Sequence, residues 1–250
     1  MGKLIGVLNQ KGGVGKSTIT GHLAMSLYHS NNFEKDPLFV SIYDADMPQW
    51  SIINMREEEV RILQSLETDD NLFYTRKLEK LYNENFKPIN IYKGDLTELS
   101  SKIPNLKKNF EYTFVDVVGT VNTEGYTAEF LESFDFIIIP TSSQFESLRS
   151  TMSFVENIVH PLSIKSKLRY SILINDVPIS QQESYLSLID ELRKNNYEIF
   201  SSVVNSLEKY VRLNLHYKGK NGLQSTFFPT YDKQIDKLTE EFLNKINHGK

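Results

Sequence analysis

The residues best suited to chemistry are Lys11-Gly12-Gly13-Val14-Gly15-Lys16-Ser17-Thr18, which combine glycines, two lysines and two hydroxyls in one short stretch. They follow the apolar run Leu4-Ile5-Gly6-Val7-Leu8 and open a helical pattern from Ser17 to His29. A strand, a glycine turn and a helix in that order aim successive backbone N–H groups, and the positive end of the helix, at one phosphate chain. In such a loop Lys16 reaches the β- and γ-phosphates and Ser17 meets Mg²⁺, while Gly12 to Thr18 cradle the nucleotide. The usual pattern starts with a glycine at the position held here by Gln10, and a second lysine, Lys11, stands inside the loop instead.

The elements that position this loop follow from the rest of the chain. Its 250 residues suit one α/β domain spanning 1–250, with 40% hydrophobic and 24% charged residues and a net charge of −4. That balance excludes a disordered or strongly basic protein, so any nucleic-acid surface must be a local patch. The absence of cysteine excludes disulfides, thiolate zinc sites and cysteine-held iron–sulfur clusters. No export signal or run of about 20 apolar residues is present, so a cytoplasmic protein is expected.

Strands are expected at 3–9, 38–43, 89–92, 112–116, 134–140, 170–175 and 198–204. Helices are expected from Ser17 to about Ser30, through the charged stretch from Trp50 to about Lys87, and at 96–106, 143–160, 181–194 and 234–246, with Asn31 to Pro37 as a connection. Apolar strands alternating with helices predict a doubly wound, mostly parallel α/β sheet flanked by helices, and with the glycine loop after its first strand it is similar to the P-loop NTPase arrangement. No internal repeat, low-complexity tract or linker divides it.

The lysine within the glycine loop resembles the deviant Walker A motif of the ParA/MinD family of dimeric P-loop ATPases. That resemblance implies ATP and Mg²⁺ as ligands, and a role for Lys11 in reaching across a nucleotide-sandwich homodimer to the partner's phosphates. Phe114-Val115-Asp116-Val117-Val118-Gly119 is similar to a Walker B strand running into switch II, which implies Asp116 at the magnesium and Gly119 near the γ-phosphate. Tyr43-Asp44-Ala45-Asp46 resembles switch I, with Asp46 placed to orient the attacking water and Asp44 in reserve. An aspartate at a strand end also serves to cap the next helix. Relatives follow the second aspartate directly with Pro-Gln, whereas here Met47 intervenes before Pro48-Gln49. Leu173-Ile174-Asn175 resembles the strand whose terminal asparagine reads the adenine edge, although a strand-end asparagine is also a common turn former.

Within that family, the start of the first strand at residue 3 implies no N-terminal operator-binding extension, and zero cysteine argues against the iron–sulfur relatives. MinD-like relatives end in a basic amphipathic helix that binds lipid. Here Ile235, Leu238, Phe242 and Ile246 share one face, but the polar side mixes Lys237 and Lys245 with Asp236, Glu240 and Glu241, so a docked core helix and no membrane contact are expected. Lys209, Arg212, Lys218 and Lys220 lie in a segment with the single acid Glu208, a candidate patch for nonspecific DNA or simply a solvated basic loop. The resemblance therefore implies an ATPase that positions or partitions DNA, reset by hydrolysis that a cargo-bound partner protein accelerates. A MinD-like membrane-surface ATPase and a metabolic small-molecule kinase or ligase are the alternatives.

Overall fold

A computed structural model of the chain describes residues 1–31, 39–66, 88–119, 127–206 and 232–248. Among these described residues the strands are β1 (Lys3–Val7), β2 (Val40–Ala45), β3 (Asn90–Lys93), β4 (Tyr112–Val117), β5 (Phe136–Ser142) and β6 (Arg169–Asn175). All pair in parallel in the order β3-β2-β4-β1-β5-β6. Parallel pairing puts the C-terminal end of every strand on the same edge of the sheet. The helices are α1 (Lys16–Asn31), α2 (Ser51–Leu66), α3 (Leu96–Asn109), α4 (Ala128–Glu132), α5 (Phe145–Phe154), α6 (His160–Lys165), α7 (Gln182–Lys194) and α8 (Lys233–His248). A π-helical turn at Val155–Val159 joins α5 to α6.

Side chains alternate between two cores, as a strand period of two requires. Leu4, Tyr43, Val115 and Ile137 face one layer with Leu99 of α3 and Phe154 of α5, while Ile5, Ile42, Phe114 and Ile138 face the other with Leu23 of α1 and Phe242 of α8. With both faces covered, β2, β4 and β5 are buried along their whole length, so apolar residues fill most of their positions on both faces. The apolar side of α8 is spent on this core: Phe242 packs its ring against those of Phe114 at 5.5 Å, Phe136 at 5.9 Å and Tyr112 at 6.2 Å. Among the described residues no helix is long and apolar enough to cross a membrane.

The segment expected as a last strand at 198–204 departs from that expectation. It bonds β6 near both ends, with Ile172 N–H donating to Glu198 O at 2.8 Å, Phe200 N–H to Ile172 O at 2.9 Å and Val204 N–H to Ile174 O at 3.0 Å, but the ladder is interrupted between them. The reason lies with α8. The Glu241 carboxylate accepts the backbone N–H groups of Ser201 at 2.5 Å and Ser202 at 2.9 Å, which draws the middle of the segment off β6. Buried Ile199, Phe200 and Val204 supply the apolar pattern that reads as a strand. The expected connection at 31–37 and the continuation of the second helix toward Lys87 lie mostly outside the described residues.

Candidate nucleotide site

Between Val7 and Lys16 the chain leaves the sheet in a loop that only glycine can complete. Gly13 has φ 74° and Gly15 φ 89°, the left-handed region that L side chains rarely adopt. At Gly15 a Cβ would also collide with the Asn175 side-chain amide at the end of β6. The outer side is open, since a Cβ at Gly12 or Gly13 would meet no atom within 4 Å, and both residues are exposed beside an exposed Lys11. Val14 turns inward and is buried, and its carbonyl accepts from Asn175 Nδ2 at 3.0 Å. Ser17 and Thr18 follow on the first turn of α1, half-buried.

Lys16 is 8% exposed, and its Nζ makes a long 3.4 Å contact with the Lys11 carbonyl. Burial lowers its pKa, against the opposing pull of Asp116 and Asp46. Gly119 packs directly on the ammonium, for a Cβ there would sit 2.8 Å from Lys16 Nζ. The loop, Asp116 and Gly119 are thus one cluster, assembled because Val7 of β1 and Asp44 of β2 both stand opposite Asp116 of β4.

Asp116 is fully buried, and neither carboxylate oxygen meets a hydrogen-bond partner at good geometry. Burial raises its pKa to about 8, with Asp44 and Asp46 adding repulsion, while the nearby Ser17 hydroxyl and Lys16 hold it down. A buried acid with orphaned oxygens beside a serine hydroxyl is a donor set that fits Mg²⁺. Among the described residues no group of three or more His, Asp or Glu could hold a metal ion, so a cation here needs phosphate and water ligands as well.

The two switch I aspartates separate by environment. Asp44 is buried and fully engaged: one oxygen accepts from Ile52 N and Ile53 N, both at 3.0 Å, and the other from Asp46 N at 3.2 Å. It therefore caps α2. Burial raises its pKa, and these backbone bonds oppose that rise. Asp46, 8% exposed, keeps one contact with the Ser51 hydroxyl at 3.3 Å, and its charge reaches both Lys16 and Asp116. Asp44→Ala is expected to lower folding stability by roughly 2 kcal/mol, because it strands N–H groups at the start of α2. Thermal melts check this, with Asp44→Asn, which keeps an acceptor, losing less.

The structure brings Lys11, Gly12 to Thr18, Asp46, Asp116, Gly119 and Asn175 to the C-terminal edge of the sheet, with Asp44 just below as a cap. Lys209, Arg212, Lys218 and Lys220 lie outside the described residues. A residue without an expected role is Asn9, buried beneath the loop and bonded to three elements. Its signal in sequence is a polar side chain directly after an apolar strand.

No protein-family model matches the chain, and no curated protein matches it by sequence. Solved structures do match. pNOB8 ParA bound to nonspecific DNA is similar over 100% of both chains, with a TM-score of 0.62 at 17% identity. A plasmid partition protein from Borrelia burgdorferi is similar over 100% of this chain and 99% of that one, with a TM-score of 0.59 at 18% identity. Cobyrinic acid a,c-diamide synthase from Mycobacterium smegmatis, with bound ADP and magnesium, is similar over 100% and 97%, with a TM-score of 0.62 at 13% identity. At these identities the likeness is one of fold, that of the P-loop NTPases.

Proposed function

We propose that this protein is a ParA-like ATPase switch, a single domain that binds ATP and Mg²⁺, closes into a sandwich homodimer on nonspecific DNA, and is reset by hydrolysis. In this reading it works in the cytoplasm to partition or position a DNA element, with a cargo-bound protein accelerating the reset. The loop N–H groups and Lys16 hold the β- and γ-phosphates, and Ser17 and Asp116 hold the metal. Mg²⁺ would neutralise charge on the phosphate oxygens as the terminal bond breaks. Asp46 orients the attacking water, Gly119 lets switch II approach the γ-phosphate, and Asn175 borders the base. Lys11 crosses to the partner's phosphates. Lys209, Arg212, Lys218 and Lys220, doubled in a dimer, give the DNA contact.

The observation that carries this reading is the contrast between the two loop lysines. Lys16 is buried against acids, as a phosphate ligand within one subunit would be, whereas Lys11 is exposed on the open rim. An exposed lysine on that rim has a task when a second nucleotide faces it. The test is size-exclusion light scattering with ADP, with ATP and Mg²⁺, and with ATP plus a short duplex at two salt concentrations. The expected result is a dimer only with ATP, joining the duplex at low salt and leaving it at high salt. A monomer under every condition would sink the reading.

The full-length likeness to a diamide synthase favours one rival, a metabolic ligase using the same loop. That enzyme would turn over ATP only with a small-molecule acceptor, and would keep full turnover after Lys11→Ala.

A further inference from the structure

We infer that Asn9 is a positioning residue that fixes the Lys11 backbone, and through it the direction in which the Lys11 side chain leaves the loop. This rests on the role given to Lys11 above.

The inference starts from the sheet. Leu8 N–H donates to the Ile138 carbonyl at 3.1 Å, the last rung that the β1 backbone gives to β5. The next β5 carbonyl on that side is two residues on, at Pro140, and by then the chain has turned away into the loop. Asn9 Nδ2 takes that rung instead, donating to Pro140 O at 2.8 Å. Its second hydrogen goes to Thr151 Oγ1 of α5 at 2.7 Å, and the Thr151 hydroxyl in turn donates a hydrogen bond to the Ser147 carbonyl at 2.8 Å. On the other side of the amide, Asn9 Oδ1 accepts Lys11 N–H at 3.1 Å.

These partners decide which way round the amide sits. Pro140 O can only accept and Lys11 N–H can only donate, so nitrogen and oxygen cannot exchange places. Asn9 and Thr151 are both essentially without solvent exposure, so water cannot replace these bonds at low cost. Aspartate would set an acceptor against the Pro140 carbonyl, and glutamine would be a methylene too long. The Lys11 backbone is therefore tied by one side chain to β5 and to α5. The same backbone turns its carbonyl toward Lys16 Nζ.

The experiment compares the parent with Asn9→Ala, Thr151→Val, Lys11→Ala and the Asn9→Ala/Lys11→Ala double variant, each as the full chain. Three readouts are taken: ATP-dependent dimerisation with turnover, affinity for a fluorescent ADP, and amide exchange of the loop peptide without nucleotide. Asn9→Ala is expected to cut ATP-dependent dimerisation and turnover about tenfold or more, since small misplacement of a charged group is costly. ADP affinity should stay within about threefold, and exchange at Lys11 should speed up. Thr151→Val, which keeps the Pro140 bond, should show the same pattern at roughly a third of the size and guards against misfolding of the loop variant. Adding Asn9→Ala to Lys11→Ala should cost less than about twofold, because coupled residues are not additive.

Multiplying defects in the double variant, or an Asn9→Ala protein equal to the parent beside a defective Lys11→Ala, would overturn the inference. A Lys11→Ala protein equal to the parent overturns the sandwich reading instead. Faster loop exchange in Asn9→Ala then still separates the local positioning, which stands, from the dimer, which does not.

Discussion

Asp116→Asn is expected to make the nucleotide-free protein more stable than the parent at pH 8 to 9, while reducing ATP turnover by about two to three orders of magnitude. The folded protein raises this carboxyl from 3.8 to about 8, chiefly by burial. Because the folded state binds the proton more tightly than the unfolded one, the stabilisation is fully present below the unfolded pKa and is lost as pH rises through the folded one. One such group gives a slope of at most about 1.4 kcal/mol per pH unit across that window. Asparagine keeps the shape and never ionises, so this part of the pH dependence disappears. The measurement is thermal melting from pH 5 to pH 9 with chelator and no nucleotide, for parent and variant. Parallel melting curves for the two would refute the assignment. The same shift means that a cation binding at Asp116 below pH 8 must displace a proton, so Mg²⁺ affinity should improve as pH rises toward 8. The stability given up at Asp116 is the cost of keeping an uncommitted carboxylate ready for a cation.

Lys16→Ala should reduce turnover by about 10³-fold, the scale of removing a principal charge stabiliser from a phosphoryl-transfer site. Its effect on folding should be small and of the opposite kind to that of an ordinary buried ion. The ammonium is already desolvated, with one long contact to the Lys11 carbonyl, and burial lowers its pKa. Arginine should not rescue activity, because Gly119 packs close to Nζ on one side and a planar guanidinium is wider than an ammonium. Phosphate release and thermal melts on Lys16→Ala and Lys16→Arg test both halves. A Lys16→Arg enzyme with near-parent turnover would contradict the packing at Gly119.

Much of the fold was legible because its signals are local. The glycine loop, the apolar strands and the amphipathic α8 each announce themselves within a few residues, and the structure places β1, β4, β5 and β6 within two residues of the expected bounds. The expected strand at 198–204 is interrupted for a non-local reason: Phe200 and Val204 give their N–H groups to β6, but those of Ser201 and Ser202 go to Glu241, on a helix about 40 residues later. The asparagine at the end of β6 was expected to read the adenine edge; the structure shows its amide bonded to the Val14 carbonyl of the loop, a contact no local pattern announces.

What the sequence by itself determined is the place of the glycine loop and the alternating α/β architecture. A run of glycines with Lys16 and Ser17 has few other uses, and periodicity survives without any partner. What only the tertiary structure decided is the division of labour among like residues. Asp44 and Asp46 share a strand end, yet one caps α2 and the other faces Lys16. Asp116 is buried with its oxygens orphaned, and Asn9 joins β1, β5 and α5. A side chain's role is set by the groups that surround it, and in a parallel sheet those groups come from strands and helices far apart in the chain.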